Sequence, residues 1–195
     1  MKRAGLMLLL GLVCGAAWAE DAPHLRITRL HIDYAVNTQG GYTEEMELIE
    51  QLGTEQAVHQ AGTMKVPYSS SLDEFKVLSA RTIKKDGRAI EVPAKSIFVQ
   101  DGLIGESTGS FQDVKTTVVV FPELEPGDSI ALKTQRTQRR PMYPGHFSYA
   151  TSFSREFLYD DVSIRISVPK EMALQVRNNG LVAAGYLGRA GLRVL

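Results

Sequence analysis

The pentapeptide Gly105-Glu106-Ser107-Thr108-Gly109 has the G-x-S-x-G spacing of a hydrolase nucleophile elbow, and Asp128 and His146 follow in the order serine, acid, histidine. An elbow works where a strand turns sharply into a helix whose N-terminal N–H groups help hold an oxyanion. Ser107 instead runs within about ten residues into a β-branched stretch, 116–121, that reads as a strand buried on both faces. A Gly- and Ser-rich loop between strands explains the same letters. No catalytic residue is therefore assigned, and a small serine hydrolase using Ser107 and His146 stands as the alternative.

A second group is suited to binding. Arg136, Arg139 and Arg140 form a basic run beside Tyr143, and His146 follows a Pro-Gly turn. Guanidinium groups next to an aromatic ring and an imidazole fit a carboxylate, a phosphate or an acidic sugar, although charge runs at strand ends are more often simply solvated. His24, His31, His59 and His146 are scattered, without the close spacing that gathers metal ligands, so neither a metal nor a cofactor is expected. Glu44, Glu45, Glu47 and Glu50, alternating with Met46, Leu48 and Ile49, read as the wet face of a strand rather than as an acid/base pair.

The start of the chain has the three parts of a cleavable signal peptide: Lys2 and Arg3, the apolar stretch 6–13, and Ala17-Trp18-Ala19 before Glu20-Asp21. Residues 1–19 are expected to be removed on export to the periplasm or beyond. The apolar stretch falls short of the ~20 residues of a spanning helix, and no later stretch approaches that length, so no transmembrane anchor is expected. A lipoprotein would use Cys14, but Val13 stands where a small residue is needed. Cys14 is the single cysteine, so the mature chain would hold no disulfide, thiol nucleophile or thiolate metal site. Basic and acidic residues balance at 22 each, and loss of Lys2 and Arg3 leaves a formal charge of minus two. That balance gives no electrostatic reason to expect nucleic acid or an anionic membrane as partner.

Positioning falls to strands. Apolar residues recur with a period close to two through most of the chain, broken by turn residues. A first strand over 25–34 ends at Asn37-Thr38-Gln39-Gly40-Gly41, and 42–52 returns from it. Residues 54–61, with Thr54 able to cap, form the one short helix. Asp86-Gly87 between apolar runs marks a second hairpin. Further strands fall at 97–99, 130–134, 147–153 and 162–168, the last alternating cleanly. The pattern gives an all-β fold, an antiparallel β-sandwich with at most one short helix, built as a single domain over 20–180. Residues 181–195 lose the alternation and read as an irregular tail, as of a truncated chain.

Several segments in shared order resemble the family known as domain of unknown function 3857: the Gly-Gly-Tyr turn at 40–42, Pro67-Tyr68-Ser69, Ala80-Arg81-Thr82-Ile83 leading into Asp86-Gly87-Arg88, the run 120–128, and Tyr143-Pro144-Gly145-His146-Phe147. The resemblance spans about 25–177. It implies a β-sandwich of exported bacterial proteins, commonly followed by a transglutaminase-like domain with a Cys-His-Asp site. The expected role is non-catalytic: an accessory module that packs against a transglutaminase-like domain or protein, or presents to it a polysaccharide or peptide of the envelope. No functional residue carries over from the family.

Overall fold

The computed structural model describes residues 24–102, 113–141, 143–177, 181, 186–187 and 193–194. The expected leader and the Ser107 pentapeptide lie outside them. In chain order the elements are β1 (Leu25–Val36), β2 (Tyr42–Leu52), α1 (Glu55–Ala61), β3 (Thr63–Ser69), β4 (Asp73–Ile83), β5 (Ala89–Glu91), β6 (Ile97–Asp101), β7 (Val114–Val120), β8 (Ser129–Gln138), β9 (Leu158–Tyr159), β10 (Val162–Ser167), β11 (Tyr186–Leu187) and β12 (Arg193–Val194). A large sheet runs β10-β1-β2-β8-β4-β5, with β9 also on β1; a small sheet runs β3-β7-β6; β11 and β12 pair with each other.

The expected all-β sandwich is present. Leu25, Ile27, Leu48, Leu52, Ile130 and Leu132 of the large sheet meet Val119 and Phe121 of the small sheet, and Ala57 and Ala61 of α1 pack into the same core. Thr54 caps α1, accepting from the Ala57 N–H at 3.2 Å. The Asp-Gly turn joins β4 to β5 with Gly87 at φ +86°. β3, which the sequence pattern did not mark, contains Pro67, and it occupies an edge where a missing N–H is tolerated.

One edge of the large sheet departs from antiparallel order. β9 and β10 run parallel to β1, with Arg26 opposite Leu158 and Leu30 opposite Val162. A parallel return needs a long crossover, and residues 139–157 supply it without strand or helix among those described. The strand expected at 147–153 is therefore absent; Phe147 and Tyr149 spend their rings on Tyr34 instead. On the outer face the parallel edge is tied by the ion pairs of Arg26 with Asp160 at 2.8 Å and Arg165 with Asp33 at 2.9 Å, and by a hydrogen bond between His31 Nε2 and Asp161 at 2.8 Å.

At one end of the large sheet, Asp128 is wholly buried. Its carboxylate accepts from Lys84 Nζ at 2.6 Å, from the Glu125 N–H at 2.8 Å and from the Lys85 N–H at 3.1 Å. Its own carbonyl accepts from the Leu52 N–H at 2.8 Å. Burial alone would push this carboxyl up, but the donors outweigh it and hold it below the usual range. A depressed carboxyl lends stability above its unfolded pKa and withdraws it as pH falls through the folded value. Asp128→Ala leaves Lys84 without its nearest charged partner and should cost about 3 kcal/mol in urea melts. Asp128→Asn should flatten the loss of stability seen on acidification below about pH 4.

Candidate functional site

Strand register decides which side chains face inward. From the Asp128 end, the core-facing rows across β2, β8 and β4 read Glu50/Ile130/Thr82, Leu48/Leu132/Ala80 and Met46/Thr134/Val77. The next row is Glu44/Arg136/Phe75, continued on β1 by Tyr34 and on β10 by Ile166. At the far end of the sandwich the inner face thus changes from aliphatic to charged and aromatic.

Four rings close this end. Tyr34 lies 5.4 Å from Tyr42, 5.8 Å from Phe147 and 4.7 Å from Tyr149 between ring centres, all in tilted or edge-on geometry. The Tyr34 hydroxyl donates to Glu44 at 2.6 Å. Burial, followed by that bond, pushes the Tyr34 hydroxyl far above its ordinary value, so it stays a donor.

Arg136 is the hub beside them. Its guanidinium lies over the Phe75 ring at 5.7 Å, and Phe75 stacks on Tyr68 at 5.8 Å. One Nη donates to the Pro67 carbonyl at 3.3 Å and the other lies 3.6 Å from Asp73. Arg136 therefore ties the large sheet to β3 of the small one. Its Nε and Asp73 Oδ1 are both buried without a protein partner. Burial pushes the Asp73 carboxyl up; Arg136 opposes this, and Glu44 and Asp113 add to it. Asp113 is held low by the Ser69 and Ser71 hydroxyls.

The sequence-derived binding residues separate into two groups. Arg136 is a largely buried strut, and Arg139 is paired with Glu74. Arg140, Tyr143 and His146 are exposed on the crossover at this same end. The Gly145 N–H donates to the Gln39 carbonyl at 2.7 Å, docking the crossover on the β1–β2 turn. Gly40 permits that approach: at φ +86°, a Cβ there would come within 2.5 Å of the His146 carbonyl oxygen. A small recess lined by Thr38, Gly145, Pro169, Glu171 and Met172 lies alongside.

Asp128 and His146 do not come together. Asp128 is saturated by Lys84 and two backbone N–H groups, and it precedes β8, whereas His146 sits beyond the other end of that strand. At about 3.4 Å per residue β8 separates the two by roughly 30 Å. The His146 Nδ1 faces the Pro144 carbonyl at 3.1 Å, and Ser107 lies outside the described residues. Among those residues no three His, Cys, Asp or Glu side chains could share a metal ion, and no helix is long and apolar enough to cross a membrane.

Glu44 and Glu50 were misplaced by the sequence pattern. Glu45 and Glu47 do face the wet side, where Glu45 meets Lys133 and Glu47 meets Arg29. Glu44 and Glu50 share the parity of Met46 and Leu48 and face inward, and burial pushes the Glu50 carboxyl up.

The chain belongs to the family described as Domain of Unknown Function 3857 with a solved structure (DUF3857), whose model matches residues 38–189. A crystal structure from Parabacteroides distasonis, described as a "putative protease", shares the fold with a TM-score of 0.74 and 18% identity over 89% of this chain and 34% of that one. The present chain thus spans about a third of that protein's length. The carbohydrate-binding CBM3a-L domain of the Clostridium thermocellum scaffoldin CipA, covering 60% of this chain and 69% of its own, reaches a TM-score of only 0.35 at 11% identity. An overlap so low carries no argument. None of the curated proteins matches the chain.

Two substitutions test the inner row. Tyr34→Phe removes a hydrogen bond to a half-buried carboxylate and should lower stability by about 2 kcal/mol in urea melts. For Asp73 the raised pKa means that the fold binds its proton better than the unfolded chain does. Its contribution is therefore present at low pH and lost as pH rises through the folded value. Asp73→Asn should melt no lower than the parent at neutral pH and show a flatter rise in melting temperature on acidification.

Proposed function

We propose that this domain is an exported, non-catalytic accessory module. It packs against a transglutaminase-like domain or protein, or presents to it a peptide or polysaccharide of the envelope. The observation that carries this reading is the collection of exposed Arg140, Tyr143 and His146 at the charged and aromatic end, Tyr143 being 68% exposed. They stand on a crossover that Gly40 and the Tyr34 rings hold in place, so a ligand would meet a fixed surface. Arg136 and Arg139 are already engaged by Asp73 and Glu74, Arg139 from an exposed position. A carboxylate-bearing peptide or acidic sugar suits one guanidinium, one phenol ring and one imidazole. The share of the Parabacteroides protein covered by this fold supports a part played within a larger assembly.

The test is binding of the purified protein to carboxylate-bearing peptidoglycan fragments. Tyr143→Ala and Arg140→Ala should each weaken it about tenfold, which is ~1.4 kcal/mol. Binding that ignores both substitutions would overturn the ligand-presenting role. A fluorophosphonate probe checks the enzymatic alternative: an unactivated serine does not react, so Ser107 should remain unlabelled. Labelling that disappears in Ser107→Ala would instead establish a hydrolase.

A further inference from the structure

Edges of a β-sheet carry unpaired N–H and C=O groups, and folded proteins blunt them with proline, charge, bulges or brevity. The edges in this fold are blunted unequally. β3 has Pro67 and the exposed Lys65, and β5 is three residues long. β4, which β5 covers only at Arg81–Ile83, is kinked by a bulge between Val77 and Ser79. β10 points Arg165 outward to Asp33. β6, five residues of sequence Ile-Phe-Val-Gln-Asp, has no proline and no bulge, carries its one charge, Asp101, at its very end, and pairs with β7 alone among the described elements.

Its side chains are also unusual for an edge. Phe98 is 39% exposed and Val99 52% exposed, and alternation places them on opposite faces of the small sheet. A partner that covers both must continue the sheet, not lie on one face of it. We propose that β6 pairs with β6 of a second copy of this chain in antiparallel fashion, joining two three-stranded sheets into one of six strands. The inference is independent of the accessory role.

Charge favours a second copy over an unrelated strand. Lys95 lies just before β6, exposed in a 3-10 turn over Ala94–Ser96, and Asp101 ends the strand with its side chain 93% exposed. Among the described residues Asp101 has one ionic contact, 3.7 Å from Lys115. A two-fold axis through the strand brings Lys95 of each copy toward Asp101 of the other, and the near-neutral chain adds little repulsion. Five residues a side form a small contact beside the ~800 Å² per partner of a stable interface, so association should depend on concentration.

Sedimentation equilibrium of the purified protein decides the matter. The weight-average mass should rise with concentration from that of one chain toward that of two. Val99→Lys, at a half-exposed position, should return it to one chain throughout with an unchanged melting temperature. Lys95→Glu should weaken the dimer, and the pair Lys95→Glu with Asp101→Lys should restore it; this arm stands even if Val99→Lys fails to fold. A single-chain mass at every concentration, a dimer that Val99→Lys in folded form leaves intact, or a charge exchange that restores nothing would each overturn the proposal.

Discussion

A carboxylate with no access to water has to be compensated in place, and the Asp128 carboxylate is compensated from two separate stretches of chain while its main-chain carbonyl holds a third. Lys84 and Lys85 come from the turn after β4, Glu125 from the turn before β8, and the Asp128 carbonyl holds the end of β2 through the Leu52 N–H. Gly127 makes room at φ +92°, where a Cβ would strike the Lys85 side chain at 2.8 Å. Once those ends are fixed, the register of β2 on β8 and of β4 on β8 is fixed with them. That register alone places Glu44, Arg136 and Phe75 in one row at the opposite end of the sheet. A slip of one residue would turn the whole row outward.

The two ends of the sandwich therefore have different characters from one set of pairings. Near Asp128 the core is aliphatic and closed by α1; at the other end the same face carries Tyr34, Glu44 and Arg136. Tyr42 of β2 and the crossover's own Phe147 and Tyr149 gather their rings around Tyr34, which braces the crossover on the sheet. The exposed Tyr143 and His146 depend on that bracing, although neither takes part in the inner row.

Much of the architecture was legible in the sequence because period-two alternation is a local property. The hairpin of β1 and β2, the Asp-Gly turn of β4 and β5, the capped α1 and the alternating β10 all follow from neighbours in sequence. What was missed depends on distant partners. Pro67 hid β3, since a proline is acceptable in a strand only if that strand lies at an edge, and edge position is a tertiary fact. The aromatic residues around 147–153 looked like a strand until the parallel arrangement of β10 required a crossover there. Arg136, Tyr143 and His146 were found as a cluster in sequence, but Tyr34, Tyr42, Asp73 and Phe75 join them only across strands. Glu44 could have been placed from parity alone, since it stands two residues before Met46 and four before Leu48.

The parallel edge also orders events in time. β1 is the first strand of the fold, yet its outer neighbour arrives far later: Arg26 finds Asp160 across 134 positions of sequence. A chain delivered N-terminus first must hold one side of β1 open until almost all the rest has emerged. Contacts of such separation slow folding, and the long interval keeps the first strand available and incompletely committed. The final pairing therefore acts as a clasp, closed only when the domain has been delivered whole.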